Sequence, residues 1–408
     1  MCSDIERQLE IISRGTTEIV PLSELKEKLI RSAKENRPLQ IKLGLDPTAP
    51  DIHIGNAVVL RKLRQFQDLG HQVTVIIGDF TAMIGDPTGK SETRNQLTPE
   101  TVAANAKTYA DQYHKILDPK KTTVVFNSQW LGELKLYNVI TLLAKTTVAR
   151  ILERDEFTNR FRSGLPIHMH ELMYPICQGY DSVHLRSDVE IGGTEQRFNI
   201  MMGRDLQREH NIEPQIALFM PLLVGLDGTE KMSKSKGNAV GIDEPPREMF
   251  GKLMSITDEM MPSYFELCTD VAHEEIAVLT DNMLTHPKDA KKRLAREIIA
   301  LYHGVKAAQD ADDEFEALFG GGAAKNAVPD DAPRFDIPSV LADAQGEISI
   351  LTLIDKTNLV QSKSEAKRLI LQGGVSLSGV KIHDPQESVT LVSGDVLKIG
   401  KHKFAQFV

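Results

Sequence analysis

The first half of the chain alternates strand-like and helix-like hydrophobic patterns. Residues 40–45 predict a short strand, and residues 73–77 form an unbroken β-branched run typical of a buried parallel strand. Between them, residues 57–69 repeat apolar side chains at a helical spacing, and residues 122–126 and 216–223 are further strand candidates. A strand–helix–strand unit predicts a doubly wound parallel sheet, in which ligands bind beyond the carboxyl ends of the strands.

The second half follows a different pattern. Residues 245–304 predict consecutive helices, and a stretch rich in Gly, Ala, Pro and Asp at 320–333 is typical of a linker. Beyond it, residues 364–371 predict a helix and residues 375–380 and 389–399 predict strands. The chain is therefore expected to contain an α/β catalytic domain at 1–240, an α-helical domain at 241–318, a flexible linker at 319–345 and a small α+β domain at 346–408.

Composition narrows the class of protein. Of 408 residues, 41% are hydrophobic and 26% are charged, which excludes wholesale disorder and fibrous repeats. No run approaches the roughly 20 apolar residues of a membrane span. The start of the chain lacks the pattern of a signal peptide, and the three cysteines form no zinc-binding cluster, so we expect a reduced, cytoplasmic setting.

Charge is unevenly distributed along the chain. The formal net charge is −9, which does not favour nucleic-acid binding by the whole surface. Residues 348–408, however, contain eight Lys and Arg against five Asp and Glu, about +3, so the remainder has about −12. A basic end on an acidic body suggests an RNA-binding appendage.

The loop after the first predicted strand contains the first candidate for chemistry. It runs from Gly44 to Asn56 and ends where a helix begins, and free N–H groups at a helix start attract anions. His53 and Asn56 lie three residues apart, and Gly55 between them permits close approach of a ligand. This spacing suits a triphosphate, although a helix cap with an incidental histidine fits it equally well.

The second candidate is the loop Lys231-Met-Ser-Lys-Ser235. Lys231 and Lys234 lie in a polar segment between glycines, where two mobile positive charges would stabilise the negative charge that grows on a leaving pyrophosphate. Two lysines at this spacing are also typical of a solvated surface. The complete pentapeptide downstream of His-Ile-Gly-Asn is a much more specific signal than either motif alone.

Together the two loops resemble the HIGH and KMSKS signatures of the class I aminoacyl-tRNA synthetases. Four further stretches resemble the bacterial tyrosyl enzymes of that class: Gly44-Leu-Asp-Pro-Thr-Ala, Ile84-Gly-Asp-Pro-Thr-Gly-Lys90, Gln178-Gly-Tyr-Asp181 and Gly192-Gly-Thr-Glu-Gln196. The resemblance covers nearly the whole chain. It implies a Rossmann-like catalytic domain that activates L-tyrosine with ATP and transfers the tyrosyl group to tRNA(Tyr). It also implies a homodimer, with an interface near residues 131–162.

The resemblance also implies roles for individual residues. The chemistry needs no protein nucleophile, because the carboxylate of the substrate attacks the α-phosphate, so alignment and charge stabilisation suffice. The residues expected at the phosphates are His53, Asn56, Lys90, Arg94, Lys231 and Lys234. Those expected around the rest of the nucleotide are Gly44, Asp46, Gly55, Gly193, Glu195 and Gln196. Mg²⁺ would arrive with ATP, without a dedicated protein metal site.

For tyrosine, family positions put Asp86, Tyr174 and Gln178 around the ammonium group and Asp181 near the phenol hydroxyl. The last three lie at i, i+4 and i+7, on one face of a helix. A phenol acceptor left unpaired by phenylalanine would distinguish the two amino acids.

The end of the chain is similar to the S-four-like RNA-binding fold of a ribosomal protein. Lys363, Lys367 and Arg368 would meet RNA phosphates from one helix, although a small folding domain with a solvated helix is the alternative.

Three residues depart from the family pattern. Asn56 replaces the second histidine of HIGH, Lys42 occupies a position where better-known members have a tyrosine near the phenol, and Glu195 replaces an aspartate. Three other functions remain open: a tryptophanyl enzyme, a small-molecule adenylating ligase and an inactive RNA-binding relative. Asp181 together with Gln178 disfavours a tryptophanyl enzyme. The terminal basic module disfavours a small-molecule ligase, and the intact lysines disfavour an inactive relative.

Overall fold

A computed structural model describes residues 2–47, 52–88, 98, 100–102, 105, 112–319, 332–341, 347–360, 362–400 and 403–408. The chain divides into two compact units, Met1–Ala308 and Gln309–Val408. None of the helices in these ranges is long and apolar enough to cross a membrane.

A six-stranded sheet forms the centre of the first unit. Its strands are β1 (Glu18–Val20), β2 (Gln40–Leu45), β3 (Gln72–Ile77), β4 (Thr122–Phe126), β5 (Val189–Gly193) and β6 (Ile216–Met220). All neighbours run parallel except β1, which pairs antiparallel with β6. The predicted parallel α/β sheet is confirmed. The last strand ends at Met220 rather than at 223, because Pro221 has no N–H to continue the ladder.

The order of the strands places the ligand site. Across the sheet the order is β1-β6-β5-β2-β3-β4, so the chain proceeds outward from β2 in one direction and from β5 in the other. The reversal lies between β2 and β5, whose carboxyl ends are Leu45 and Gly193. A crevice beyond such a switch point is the usual binding site of an open α/β sheet.

Helices cover the sheet and extend the first unit. They are α1 (Cys2–Ser13), α2 (Leu22–Glu35), α3 (Ile54–Asp68), α4 (Thr81–Ile84), α5 (Ser128–Leu131), α6 (Leu136–Leu143), α7 (Val148–Leu152), α8 (Asp155–Arg162), α9 (Tyr174–Leu185), α10 (Arg197–Glu209), α11 (Pro246–Met254), α12 (Met261–Cys268), α13 (His273–Thr280) and α14 (Pro287–His303). A further helix, α15, spans Val305–Phe319. The expected helices between 245 and 304 are confirmed, and they belong to the first unit up to Ala308.

Helix α3 begins three residues before the predicted start at 57. His53 occupies its N-cap position and exchanges hydrogen bonds with Asn56, which forms a capping box and starts the helix at Ile54. Leu60, Leu63 and Phe66 then form its buried face, as the apolar spacing predicts.

The second unit is a small α+β domain. Its helices are α16 (Ile337–Val340), α17 (Ile350–Thr357) and α18 (Lys363–Leu371), and its strands are β7 (Arg334–Phe335), β8 (Ile348–Ser349), β9 (Val375–Leu377), β10 (Val380–Ile382), β11 (Ser388–Val389), β12 (Val396–Ile399) and β13 (Lys403–Phe407). Five strands form a sheet in the order β10-β9-β12-β13-β7, and β8 pairs with β11. Leu353, Ile370 and Leu397 are among the residues of its apolar core.

Two strand predictions in this unit are wrong in extent. The segment 375–380 is a hairpin rather than one strand, because Ser378 and Gly379 both adopt positive φ, as a tight two-residue turn requires. The segment 389–399 is broken by a turn with positive φ at Gly394, so that β11 and β12 join different sheets.

Candidate active site

A cleft of about 1010 Å³ opens beyond the carboxyl ends of β2 and β5. Fourteen of the residues that the sequence nominates line it: Gly44, Asp46, His53, Gly55, Asn56, Asp86, Tyr174, Gln178, Asp181, Gly193, Glu195, Gln196, Lys231 and Lys234. The predicted Lys90 and Arg94 lie outside the described residues. The switch point of the sheet therefore brings distant motifs to one cavity.

His53 is oriented as a neutral hydrogen-bond donor. Its Nδ1 accepts from the backbone N–H of Asn56 at 3.2 Å, so the proton lies on Nε2. Burial, together with the charge of Lys234, lowers the pKa of the His53 imidazole to about 4. Asn56 Oδ1 accepts from the His53 N–H at 3.3 Å, which keeps its Nδ2 as a donor. The capping box thus supplies two neutral donors to the cleft.

The lysine-containing loop lies directly against this helix start. A Cβ built on Gly55 would lie 3.3 Å from the Cβ of Met232 and 3.0 Å from Nδ1 of His53, so only glycine fits without displacement. The field of Lys234 acts on His53, and that of Lys231 acts on Glu195. The two lysines therefore lie on the same cleft as the helix start.

Asn238 fixes the base of this loop. Its Oδ1 accepts from the Ser233 N–H at 2.7 Å, and its Nδ2 donates to the Lys231 carbonyl oxygen at 3.3 Å and to Asp227. A Cβ on Gly225 would collide with the Asn238 side chain at 2.2 Å. A single buried amide therefore holds both arms of the loop.

Asp181 forms a buried acceptor on α9. Trp130 Nε1 donates to its Oδ1 at 2.8 Å and Asn127 Nδ2 to its Oδ2 at 3.4 Å, while the Trp130 ring stacks on His184. Burial raises the pKa of the Asp181 carboxyl to about 7, against the lowering effects of Lys42 and the two donors. This carboxyl can therefore change its charge near neutral pH.

Lys42 and Glu190 form a buried ion pair next to this carboxyl. They stand opposite each other on β2 and β5, their side chains are each 1% exposed, and Nζ lies 2.9 Å from Oε1. Glu190 also accepts from Gln178 at 3.2 Å, from Ser182 at 3.2 Å and from Gln215. The unusual Lys42 is thus neutralised by its neighbour strand, and Gln178 is oriented by the same carboxylate.

Asp46 joins two elements at the end of β2. Its Oδ2 accepts from the Tyr174 hydroxyl at 2.7 Å and its Oδ1 from the Thr81 hydroxyl at 2.7 Å. Burial, followed by the charges of Asp46 and Asp86, raises the pKa of the Tyr174 phenol well above its usual value. Tyr174 is therefore a neutral donor to Asp46.

Asp86 is a buried carboxylate in a dense set of donors. Its Oδ1 accepts from the Thr88 N–H at 3.0 Å, the Thr88 hydroxyl at 2.6 Å and Arg154 at 3.0 Å, and its Oδ2 accepts from Gln196 at 2.7 Å. Burial alone would raise the pKa of Asp86, but Arg154 and the hydrogen bonds outweigh it and hold the pKa below its usual value. The carboxylate is therefore charged at neutral pH.

Glu195 has an acceptor available for a ligand. Within the described residues its Oε2 is buried and has no hydrogen-bond partner, and burial raises the pKa of its carboxyl. A Cβ on Gly193 would lie 2.2 Å from this oxygen, so the glycine leaves room for it. An unpaired acceptor of this kind suits the hydroxyl groups of a ribose.

Several residues of the site were not predicted from the sequence. Trp130 and Asn127 hold Asp181, Arg154 holds Asp86, and Asn238 holds the lysine loop. Trp130 is the single tryptophan of the chain, which is the only signal that could have drawn attention to any of them. In the ranges that the structure describes, no group of three or more His, Cys, Asp or Glu side chains could hold a metal ion.

The second unit presents the predicted basic residues on α18. Lys363, Lys367 and Arg368 are exposed, and Lys363 Nζ lies 3.2 Å from Asp355 Oδ2. Ala366 and Ile370 on the same helix are buried in the core of the unit. The helix is therefore amphipathic, with its cations on the solvent side.

Solved structures share the fold of about three quarters of this chain. The tyrosyl-tRNA synthetase from Archaeoglobus fulgidus complexed with L-tyrosine superposes with a TM-score of 0.61 at 23% identity, over 76% of this chain and 99% of that one. A C-terminally truncated mitochondrial tyrosyl-tRNA synthetase from Coccidioides posadasii gives a TM-score of 0.61 at 23% identity, over 76% of this chain and 91% of that one. At this identity the likeness establishes the fold alone.

Sequence comparison establishes the family. The family model of tRNA synthetases class I (W and Y) matches residues 34–320. The tyrosine–tRNA ligase of Moorella thermoacetica is 53% identical over 406 residues, covering 99% of this chain and 96% of that protein. That of Aquifex aeolicus is 49% identical over 403 residues, 99% of both chains. The chain belongs to the class I tRNA synthetases for tryptophan and tyrosine, and within them to the bacterial tyrosyl-tRNA synthetase family.

Proposed function

We propose that the cleft activates L-tyrosine with ATP and that the enzyme then transfers the tyrosyl group to tRNA(Tyr), as a tyrosine–tRNA ligase. The observation that supports it best is the meeting of the two signature loops, through Gly55 and Met232, over a cleft that also contains Asp181. Phosphate-binding groups and a phenol acceptor in one cavity suit a nucleotide and tyrosine side by side.

The first half-reaction needs alignment rather than a protein nucleophile. A carboxylate oxygen of tyrosine attacks the α-phosphorus of ATP, the bond to the bridging oxygen of the β-phosphate breaks, and pyrophosphate leaves with the electron pair. His53 and Asn56 donate to the phosphates, and Lys231 and Lys234 stabilise the charge on the departing pyrophosphate. We assign Lys90 and Arg94 to the same group as a prediction from the sequence.

Residues that line the cleft would make the remaining contacts to the nucleotide. Gly44, Gly55 and Gly193 permit close approach of the ligand, the unpaired Oε2 of Glu195 accepts from the ribose, and Asp46 and Gln196 border the same space. Mg²⁺ comes with the ATP phosphates, as fits a cation that keeps several waters and few protein ligands. When bound, it would neutralise part of the phosphate charge.

Tyrosine binds with its phenol towards Asp181 and its ammonium towards Asp86, Tyr174 and Gln178. Asp86 is charged at neutral pH, because donors hold its pKa low, so it attracts a cation. Asp181 accepts from the phenol hydroxyl, and phenylalanine would leave that buried acceptor unpaired.

In the second half-reaction, a hydroxyl of the terminal ribose of tRNA attacks the carbonyl carbon of tyrosyl-adenylate, and AMP leaves. We propose that residues 346–408 form the S-four-like RNA-binding domain, with Lys363, Lys367 and Arg368 at tRNA phosphates. The proposed division is a catalytic domain at 1–240, an anticodon-side helical domain at 241–318 and a linker that begins at 319. The predicted end of the linker at 345 is too late, because β7 and α16 already belong to the fold of the second unit. We also propose a cytoplasmic location, where ribosomes consume charged tRNA.

We also propose a homodimer. Helix α6 exposes Leu136 at 75%, Tyr137 at 78% and Ile140 at 58%, and Phe161 on α8 is exposed as well. Exposed apolar residues clustered in this way are typical of a surface that associates with another protein. The location matches the expected interface near 131–162.

Exchange of labelled pyrophosphate into ATP tests the proposed function. We expect exchange with tyrosine, and none above background with tryptophan or the other standard amino acids. Tyrosine-independent exchange, or exchange with tryptophan instead, would contradict the assignment.

A further inference from the structure

Four polar side chains, three of them buried and Gln196 partly buried, form a closed ring beside the cleft. Arg154 donates through one terminal nitrogen to Asp86 Oδ1 at 3.0 Å and through the other to Asn199 Oδ1 at 2.7 Å. Asn199 Nδ2 donates to Gln196 Oε1 at 2.9 Å, and Gln196 Nε2 donates back to Asp86 Oδ2 at 2.7 Å. The ring joins the segments after β3 and β5 to the residue that precedes α8.

The direction of every hydrogen bond in the ring follows from its two charged members, Arg154 and Asp86. A guanidinium can only donate, so Asn199 must turn its oxygen towards Arg154 and its nitrogen towards Gln196. Gln196 must then accept from Asn199 and donate to Asp86. Asp86, which can only accept, requires the same orientation of Gln196, so the donor at one end of the ring and the acceptor at the other agree on a single arrangement of both amides.

The ring leaves one site on Asp86 for a ligand. Oδ1 accepts three hydrogen bonds, two from Thr88 and one from Arg154, whereas Oδ2 accepts a single one, from Gln196, among the described residues. Because a carboxylate oxygen has two lone pairs, Oδ2 can accept one more donor. Asp86 lines the cleft, so that donor can come from a bound molecule.

The charge around the ring still favours a cation. Arg154 Nε donates to Glu156 Oε2 at 3.0 Å, so the two carboxylates and one guanidinium sum to a formal charge of −1. Arg154 itself is 3% exposed and lies over the Phe157 ring at 5.8 Å. The guanidinium is thus rigidly held, and Glu156 prevents it from cancelling the attraction of Asp86 for an ammonium group.

We propose that Arg154, through Asn199 and Gln196, is a positioning residue that aims Asp86 Oδ2 at the ammonium group of tyrosine. The inference rests on the proposed function and adds to it a residue that never touches the substrate. Its signature is selective: loss of Arg154 weakens the binding of ligands that contain the ammonium group and spares those that lack it.

The test compares L-tyrosine with 3-(4-hydroxyphenyl)propionate, which keeps the phenol and the carboxylate but lacks the amine. Dissociation constants for both would be measured by calorimetry on the full chain, for the wild type, Arg154→Met, Arg154→Lys and Asp86→Asn. For Arg154→Met we expect tyrosine to bind at least about tenfold more weakly, the loss of a charge-assisted contact, and the propionate within about twofold of wild type. Arg154→Lys should restore part of the tyrosine affinity.

Arg160→Met is the matched control, because it makes the same change six residues away at an equally buried arginine. Arg160 is 2% exposed and binds Glu171 rather than the ring. A structural disturbance of this region would change the affinities for both ligands equally in both variants, whereas we expect only Arg154→Met to change the ratio of the two affinities. The melting temperature of each variant reports folding, and Arg154→Lys supplies the comparison if Arg154→Met is unfolded.

Two results would overturn the inference, and they are distinguishable. If Asp86→Asn changes the ratio of the affinities for the two ligands but neither Arg154 variant does, Asp86 binds the ammonium group without help from Arg154. If Asp86→Asn also leaves the ratio unchanged while tyrosine-dependent pyrophosphate exchange persists, the ammonium binds elsewhere, and both the role of Asp86 and that of Arg154 are wrong. Absence of that exchange in the wild type would instead contradict the proposed function itself.

Discussion

Gly55, in the first turn of α3, lies so close to Met232 that a Cβ added to it would be 3.3 Å from the Cβ of Met232. The two signature loops therefore pack closely against each other at this point. Gly55→Ala should push the His53 ring and the lysine loop apart, and we expect activation to fall about tenfold, since overpacking costs about 1–3 kcal/mol. Tyrosine-dependent pyrophosphate exchange measures it.

A matched glycine provides the control for that prediction. Gly251 lies within α11 and a Cβ added to it would meet nothing within 4 Å. Gly251→Ala should leave exchange unchanged. Equal rates for the two variants would show that the contact between the loops is unimportant.

Lys234→Ala should lower the rate of tyrosine activation by about a hundredfold, the usual effect of removing one donor that stabilises transition-state charge. Lys236 is a useful comparison in the same loop, because it is paired with Glu230 at the surface. We expect Lys236→Ala to change the rate far less. Similar losses in both variants would mean that only the overall positive charge of the loop matters.

The preference for tyrosine over phenylalanine should depend on pH. Because burial raises the pKa of Asp181 to about 7, the carboxyl is increasingly protonated below neutrality and becomes a poorer acceptor for the phenol. We expect the ratio of kcat/KM for the two amino acids to rise between pH 6 and pH 8. In Asp181→Asn the ratio should be low and flat, and a wild-type ratio that does not change with pH would contradict the assignment.

The Asp181 carboxyl also makes the free energy of unfolding depend on pH. Here a rise in pH is unfavourable, whereas it favours selection of tyrosine. Its pKa in the folded protein lies above its ordinary value of 3.8, so the folded state holds a proton that the unfolded state has lost between these two pH values. The stabilisation it contributes is therefore present at low pH and is lost as pH rises through about 7. Urea unfolding of the ligand-free protein should show a pH-dependent term that Asp181→Asn abolishes.

Removal of residues 346–408 should spare adenylate formation and severely reduce charging of tRNA. A finer version replaces Lys367 and Arg368 by alanine, which should weaken tRNA binding and reduce its salt dependence, because each lost phosphate contact removes about 0.7–0.9 from the slope of log K against log salt. Lys381→Ala, elsewhere on the same unit, is the control. Loss of adenylate formation in the shortened protein would indicate a structural role for this region.

Charge placed on the apolar face of α6 should prevent dimerisation. Tyr137→Asp combined with Ile140→Asp should halve the mass measured by light scattering, because unpaired charges are costly to bury in an interface. Ile30→Asp on α2, also an exposed apolar position, should leave the mass unchanged. A wild-type mass equal to that of one chain would contradict the proposed homodimer.

The location of the candidate site could be predicted from the sequence, because strand and helix patterns are local and the position of a ligand site on an open sheet depends on topology. The strand patterns at 40–45, 73–77 and 122–126 predicted β2, β3 and β4. The rule that ligands bind beyond the carboxyl ends of the strands then placed His53 and Glu195 near the same sheet edge. The i, i+4, i+7 spacing put Tyr174, Gln178 and Asp181 on one helical face, and all three line the cleft.

The supporting residues escaped prediction because their contacts are long-range. Arg154 stands alone before a short helix, and only folding brings it to Asp86 and Asn199. Glu190 is a charged residue inside a buried strand. Its burial is explained by the ion pair with Lys42 on the neighbouring strand, a contact that no local sequence pattern reveals. The hairpin turn at Ser378 was missed because an ordinary residue there adopts a positive φ.

A crystal structure with tyrosine and a non-hydrolysable ATP analogue would show directly whether the two signature loops act on one nucleotide. We expect His53 and Lys234 to contact its phosphates from two sides, with the tyrosine phenol at Asp181. A nucleotide held by only one of the two loops, or tyrosine bound away from Asp181, would contradict it.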